Sequence, residues 1–66
     1  MKAMWLTCLG SSAQHLVNVS KITEIYHIDT RRPEIGSRVY FGAEDYTDVS
    51  DSLEYIAAEL AERGHL

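Results

Sequence analysis

Short runs that mix apolar, aromatic and β-branched residues cover the first three quarters of the chain, and several of them alternate apolar with polar positions. Such runs are typical of β-strands, and turn-forming residues separate them here. The runs occupy residues 4–9, 15–19, 22–29, 38–41 and 46–49. The pattern predicts about four or five short strands, although the first run alone also fits a turn of buried helix.

The last quarter of the chain has the spacing of an amphipathic helix. Its apolar residues recur three or four positions apart, as on one helical face: Leu53, Ile56, Ala57, Leu60 and Ala61. Ser50, Asp51 and Ser52 are three candidates for the N-cap, because their side chains can accept hydrogen bonds from the first free amides. Gly64 suits the position after the last turn. We expect a helix over about residues 52–63.

These elements predict an α+β fold. An antiparallel sheet of about four to five short strands in meander order, at about residues 3–49, packs one face against the C-terminal helix. A chain of 66 residues is long enough for a single domain, which we place at residues 1–66. A domain this small buries only ~60% of the surface that its unfolded chain exposes, so its core is marginal. Small domains often gain stability from disulfides, a metal or oligomerisation.

The cysteine and histidine content argues against two of these supplements. Cys8 is the single cysteine, so an internal disulfide cannot form, and this usage indicates a reducing compartment. Cys8 with His15, His27 and His65 lacks the paired close spacing of structural zinc sites. We therefore expect a homo-oligomer, with a dimer favoured, and a monomer of this size remains the alternative.

The charge and hydropathy of the chain narrow its class. A formal charge of −4 and a pI near 5.1 argue against sequence-independent binding of nucleic acid, which needs a basic surface. No apolar run approaches the ~18 residues of a membrane span, and the first residues are too few and too mixed for a signal peptide. We expect a cytoplasmic protein without a membrane partner.

The sequence contains no pattern of catalytic, metal-ligating or cofactor-binding residues. His15 and His27 lie in different predicted strands and approach each other only across the sheet, without a fixed carboxylate or cysteine partner. Cys8 lies inside an apolar run, where a small buried side chain is expected rather than a nucleophile. The acidic residues around Asp48 lack the spacing of a calcium loop. The chain is predicted not to be an enzyme.

Three tyrosines and an arginine are the most suggestive residues for binding. Because side chains alternate along a strand, Tyr26 and Tyr40 are expected on one face of neighbouring strands, with Arg38 beside them. Tyr46 joins this face if the last strand keeps its register. Ile22 and Ile28 are expected beside the tyrosines. The opposite face, beneath the helix, is expected to carry Ile25, Val39 and Phe41.

Three interpretations of this face are open. It is a half-exposed sheet surface with ordinary cross-strand aromatic pairs, or a protein interface, where tyrosine and arginine are enriched. In the third, the tyrosines stack on a nucleotide or a single-stranded nucleic acid and the arginines neutralise its phosphates. The candidate interface or ligand residues are Tyr26, Tyr40, Tyr46, Arg31, Arg32 and Arg38.

A series of short motifs runs along most of the chain: the apolar strand at residues 5–9, Val17-Asn18-Val19 leading to Ile22 and Ile25, Val39-Tyr40-Phe41-Gly42, and Val49 followed by Ser52, Leu53 and Ile56. Their order resembles that of the FlbD-like family, very small bacterial proteins of flagellar operons that are also called swarming-motility proteins. The chain departs from the family pattern in its loop at residues 30–35 and its turn at residues 42–45. The resemblance implies a cytoplasmic accessory or regulatory protein without known catalysis, and similar miniature domains also occur on phage and plasmid genes.

From the sequence we predict a non-enzymatic interaction or regulatory module. It self-associates through the face of Tyr26 and Tyr40 or through an unpaired strand edge, which invites pairing with another chain. The alternative is a protein that binds a small ligand, such as a nucleotide, or single-stranded nucleic acid. The net negative charge weakens this alternative, and the local cluster of Arg31, Arg32 and Arg38 supports it.

Overall fold

The structure is a computed structural model that describes residues 2–64, and these residues form five β-strands, two short 3-10 helices and one α-helix. The strands and the α-helix are β1 (Ala3–Thr7), β2 (Gln14–Asn18), β3 (Glu24–His27), β4 (Ser37–Tyr40), β5 (Tyr46–Val49) and α1 (Leu53–Glu62). The predicted α+β class is confirmed. The helix lies within one residue of its expected bounds at each end.

The described strands form two antiparallel sheets, and the prediction of a single sheet in meander order is wrong. β1 and β2 form a hairpin, while β3, β4 and β5 form a three-stranded meander. A short contact between β1 and β5 joins the sheets, because Cys8 pairs with Val49 in an isolated bridge. Beside it, the Leu9 amide donates to the Asp48 carbonyl oxygen at 3.2 Å. The first hairpin is thus attached to the last strand of the chain.

The break between the two sheets begins at Asn18. Its side-chain oxygen accepts hydrogen bonds from the amide of Ser20 at 3.1 Å and from its hydroxyl at 2.8 Å, and so caps a 3-10 helix at Val19–Lys21. Asn and Ser side chains compete in this way with regular strand pairing, so the chain bends after the first hairpin. The turn brings Ile22 against the core, and β3 begins only at Glu24, so the predicted place of Ile22 beside the tyrosines is wrong.

The loop between β3 and β4 contains the second 3-10 helix, at Pro33–Ile35. The sequence predicts that no strand or helix runs through this loop, because Pro33 lacks a backbone donor and keeps Arg32 out of the helical region. Arg32 is outside that region, with a φ of −137°, but the prediction is wrong for the short helix that begins at Pro33. Proline is tolerated at the first position of a helix, where its amide would have no partner in any case.

The core lies between the two sheets and α1. Its buried apolar side chains come from both sheets and the helix: Met4, Leu6, Val17, Val19, Val39, Val49, Ile56 and Leu60. Ile25 and Phe41 pack against this cluster, which confirms the expected inner side of the three-stranded sheet. Ser37 is also buried, and its hydroxyl donates to the Asp51 carbonyl oxygen at 2.8 Å. This hydrogen bond compensates for the burial of the hydroxyl.

The edge of β1 that faces away from β2 is closed by the C-terminal part of the chain. The Thr7 amide donates to the Asp51 carboxylate at 2.7 Å, and the Thr7 carbonyl oxygen accepts from the Ser50 amide at 2.9 Å. At the other end of the strand, Arg63 Nε donates to the Ala3 carbonyl oxygen at 3.2 Å. β1 is therefore held on both sides.

Of the three candidate N-caps, Ser52 begins α1, and its hydroxyl oxygen accepts from the Tyr55 amide at 3.0 Å. Gly64 follows the helix with a φ of 80°, as expected of a residue just after the last turn. Within residues 2–64, no helix is both long and apolar enough to cross a membrane.

Gly36 is the position where the fold should tolerate a side chain least. Its φ is 142°, and a Cβ there would lie 2.1 Å from the Val49 carbonyl oxygen. We expect Gly36→Ala to lower the free energy of unfolding by about 3 kcal/mol or more in urea denaturation. Gly10→Ala is the matched control, because Gly10 has a φ of 82° but nothing within 4 Å of its added Cβ. Equal losses in both variants would contradict a role for the close approach.

Candidate functional site

Six side chains of the three-stranded sheet share the face that points away from the core. Alternation along each strand directs them outward, while Val39 between them on β4 is buried. The register of β3, β4 and β5 arranges them in two rows, which together we call the tyrosine face: Glu24, Tyr40 and Tyr46, and Tyr26, Arg38 and Asp48. Four of the six predicted site residues lie here, as the alternation predicts.

The three tyrosine rings contact one another in sequence across the sheet. The rings of Tyr26 and Tyr40 meet edge to face, with centroids 5.8 Å apart and planes at 89°. Tyr40 and Tyr46 lie opposite each other, with centroids 5.2 Å apart. Both geometries are favourable for aromatic pairs. Tyr26 and Tyr46 are still 51% and 46% exposed, so the cluster is ordered but open to contact.

The charge of Arg38 is already paired within the face. Its Nε and one terminal nitrogen donate to the two carboxylate oxygens of Asp48, at 2.7 and 3.1 Å. Its guanidinium carbon also lies 4.5 Å from the centre of the Tyr46 ring, a cation–π distance. The hydrogen bond with Asp48 raises the pKa of Arg38 above its ordinary value. An incoming anion would have to compete with this bidentate pair.

Glu24 occupies the opposite corner of the face and accepts a hydrogen bond from the Tyr26 hydroxyl. This hydrogen bond, together with the negative charge of Glu24, raises the pKa of Tyr26 above its ordinary value of 10.0. Alternation along the predicted third strand places Glu24 on the same face as Tyr26, but sequence reasoning named neither Glu24 nor Asp48 as a site residue. Their alternation with Tyr26 and Tyr46 was the available signal, since each lies two residues from a tyrosine on the same strand.

The two remaining predicted site residues, Arg31 and Arg32, lie in the loop after β3. The Arg31 amide donates to the Asp29 carboxylate at 2.9 Å, and the Arg32 side chain pairs with Glu34 at 3.5 Å. Within the described part of the chain, no hydrogen bond or ion pair joins either arginine to the tyrosine face. The expected cluster of three arginines is therefore divided between two places.

The histidines and the cysteine are arranged differently from expectation. His15 lies in β2 and His27 in β3, so they belong to different sheets and do not pair across one. Instead, His15 Nε2 lies 2.9 Å from Cys8 Sγ, and Cys8 is half-buried where the sequence predicts a buried side chain. His65 lies outside the described residues. Within residues 2–64, no three histidine, cysteine, aspartate or glutamate side chains converge as a metal site would require.

A groove of about 410 Å³ opens between β2 and the turn that joins β4 to β5. Its lining mixes apolar side chains with both signs of charge: Leu6, Val17, Phe41, His15, Lys21 and Asp45. Leu16 and Asn18 also border it, so this side of β2 is open to solvent.

Comparison of the chain with protein-family models, with curated proteins and with solved structures gives no match. The function must therefore be argued from the geometry of the site. A fold class alone does not determine an activity.

Ionisation of Tyr26 tests its contact with Glu24. Loss of the phenolic proton removes the hydrogen bond and places a second negative charge beside the carboxylate, so the pKa of Tyr26 is raised. We expect Glu24→Gln to bring that pKa down toward 10.0 in a tyrosine absorbance or NMR titration, while Asp45→Asn, outside the face, leaves it unchanged. If Glu24→Gln leaves the pKa of Tyr26 where it is in the unchanged protein, the contact is not formed in solution.

Proposed function

We propose that the protein is a non-enzymatic interaction module that self-associates as a homodimer and presents its tyrosine face to protein rather than to a nucleotide. The observation that carries the proposal is the pairing of charges within that face. Three neighbouring tyrosine rings lie beside an arginine whose Nε and one terminal nitrogen are already bound to a carboxylate. Such a surface offers aromatic area with its one positive charge paired to a carboxylate.

The balance of charge on the tyrosine face favours a protein partner. The face contains one arginine and two carboxylates, Glu24 and Asp48, so its net charge is slightly negative. A phosphate group would meet this negative potential and would have to displace Asp48 from Arg38. Tyrosine rings with ordered, paired charges are typical of interface centres, where aromatic anchors supply most of the binding free energy.

The size of the core supports self-association. A small domain buries a limited share of its apolar surface, and a second copy can cover more of it. Among the described residues, several large apolar side chains remain exposed: Trp5, Leu9, Leu16, Tyr26, Tyr46 and Tyr55. They fall mainly on two surfaces, the tyrosine face and the β1–β2 hairpin. These two surfaces, a sheet face and the edge of a hairpin, are the candidates for the dimer contact.

We also propose the role that the resemblance to the FlbD-like family implies, which is a cytoplasmic accessory or regulatory role without catalysis. The order of the short apolar motifs along the chain supports it. These motifs supply the core residues Leu6, Val17, Val39, Val49 and Ile56.

Binding of a nucleotide or of single-stranded nucleic acid is the second candidate function. The stacking of Arg38 on Tyr46, beside two further rings, favours it, because a base can stack on such a platform. Two observations argue against it: the charge of Arg38 is paired, and within the described residues no hydrogen bond or ion pair joins Arg31 or Arg32 to the face.

The assembly state tests the preferred function. We expect the gently purified protein to give a dimer mass, without added mass, in native mass spectrometry. A co-purifying mass of nucleotide size would transfer the assignment to the second candidate. A bare monomer at every concentration would contradict self-association.

Titration with a single-stranded oligothymidylate tests the second candidate directly. We expect no saturable change in tyrosine fluorescence or NMR shifts at moderate salt. Saturable binding that Tyr40→Ala abolishes and Tyr55→Ala leaves intact would overturn the preferred function. Tyr55 is the matched control because it is 47% exposed on α1, outside the tyrosine face.

A further inference from the structure

The register of the first hairpin determines which backbone groups of β2 are free. The Cys8 amide donates to the Ala13 carbonyl oxygen at 2.8 Å, and the Val19 amide donates to the Lys2 carbonyl oxygen at 3.1 Å. In an antiparallel pair, hydrogen-bonded positions alternate with positions that point the other way. The backbone groups of β2 and of the residue on each side of it therefore alternate. Those of Ala13, His15, Val17 and Val19 face β1, and those of Gln14, Leu16 and Asn18 point outward from the hairpin.

This outward edge of β2 is not protected. Natural edge strands usually carry lysine, glutamate or proline, or are covered by another element, because free edges pair with other chains. The sequence of β2 is Gln-His-Leu-Val-Asn, which contains no lysine, glutamate or proline. The groove that borders Leu16 and Asn18 leaves the same side uncovered. β3, the corresponding edge of the other sheet, begins with Glu24.

The charge distribution indicates which molecule can approach this edge. All ten acidic residues lie from Glu24 onward, and the first 23 residues carry only Lys2 and Lys21 as fully charged side chains. Two copies with a net charge of −4 repel each other, and β2 itself adds no acidic residue to a contact between them, while the groove beside it is lined by one charge of each sign, Lys21 and Asp45. An uncharged, antiparallel strand edge is also complementary to itself about a two-fold axis.

We propose that β2 pairs antiparallel with β2 of a second copy, and that this edge, not the tyrosine face, is the contact of the homodimer proposed above. The outward positions then place Leu16 opposite Leu16 of the second copy, and Gln14 opposite its Asn18. The two hairpins become one four-stranded sheet.

Apolar side chains beside the edge add to the backbone contact. Trp5 and Leu16 lie directly opposite each other on the outer face of the hairpin, and they are 56% and 55% exposed. In the paired sheet, the two Leu16 side chains become neighbours between the two Trp5 rings. The contact leaves both tyrosine faces uncovered, so the dimer presents two of them to a further protein.

A lysine introduced at one position on each surface distinguishes a dimer contact at the β2 edge from one at the tyrosine face. Leu16→Lys places like charges opposite each other across the two-fold axis and adds the guard that β2 lacks. Tyr26→Lys is the matched control, because Tyr26 is similarly exposed on a strand but belongs to the tyrosine face. We expect Leu16→Lys to raise the dimer dissociation constant about tenfold or more in sedimentation equilibrium, and Tyr26→Lys to leave it within about twofold. Circular dichroism checks that both variants fold.

The outcomes distinguish this inference from the function on which it rests. If Tyr26→Lys dissociates the dimer and Leu16→Lys does not, the edge contact is wrong and self-association stands. The same holds if neither variant dissociates it. If the unchanged protein is a monomer at the highest soluble concentration, both proposals fail.

A cross-link gives a readout that does not depend on loss of folding. In a Cys8→Ser background, Leu16→Cys would bring two thiols onto a hydrogen-bonded cross-strand pair, whose Cα atoms lie about 5.5 Å apart and within disulfide range. We expect mild oxidation to convert this variant to covalent dimer, and to leave Tyr26→Cys in the same background largely monomeric on a denaturing gel. Equal cross-linking of the two variants would overturn the edge contact.

Discussion

The short contact between β1 and β5 is the interaction on which the rest of the structure depends. The bridge of Cys8 with Val49, with the Leu9 and Ser50 amides on either side of it, attaches the first hairpin to the last strand. Without it, the two-stranded and the three-stranded sheets would be separate, and an isolated hairpin is marginal in water. Because they are joined here, the apolar side chains of both sheets and the helix pack in one core, among them Met4, Leu6, Val39 and Ile56.

This junction also determines which strand edges stay open. The outer edge of β1 is used by the Ser50 amide, the Asp51 carboxylate and the Arg63 guanidinium, so β1 is not available to another chain. β5 is paired with β4 on one side and meets β1 on the other. β2 and β3 are therefore the edges that remain among the described strands, and β3 is guarded by Glu24. The open, uncharged edge of β2 thus follows from the way the fold closes around β1.

Local patterns were sufficient to predict the helix, the approximate positions of the strands and the shared face of Tyr26, Tyr40 and Tyr46, because period and alternation act within a few residues. The division into two sheets could not be predicted in this way. It depends on hydrogen bonds between residues far apart in the chain, such as Thr7 with Asp51. The pairing of Arg38 with Asp48 likewise required the register of β4 and β5, and this pairing supports the proposal of a protein contact over a phosphate contact on the tyrosine face.

The tyrosine face and the outward edge of β2 have different chemistry, and we propose a different role for each: the face contacts a further protein, and the edge forms the dimer. The tyrosine face has rings and paired charges, whereas β2 at the hairpin edge has free backbone groups and no fully charged side chain of its own. Amide hydrogen exchange measured by NMR at several protein concentrations tests the central claim, that β2 is the dimer contact. If β2 is the contact, the amides of His15 and Val17, which face β1, are protected at all concentrations, and the Leu16 amide becomes protected as the concentration rises. Rapid exchange of the Leu16 amide in a sample that is demonstrably dimeric would contradict it.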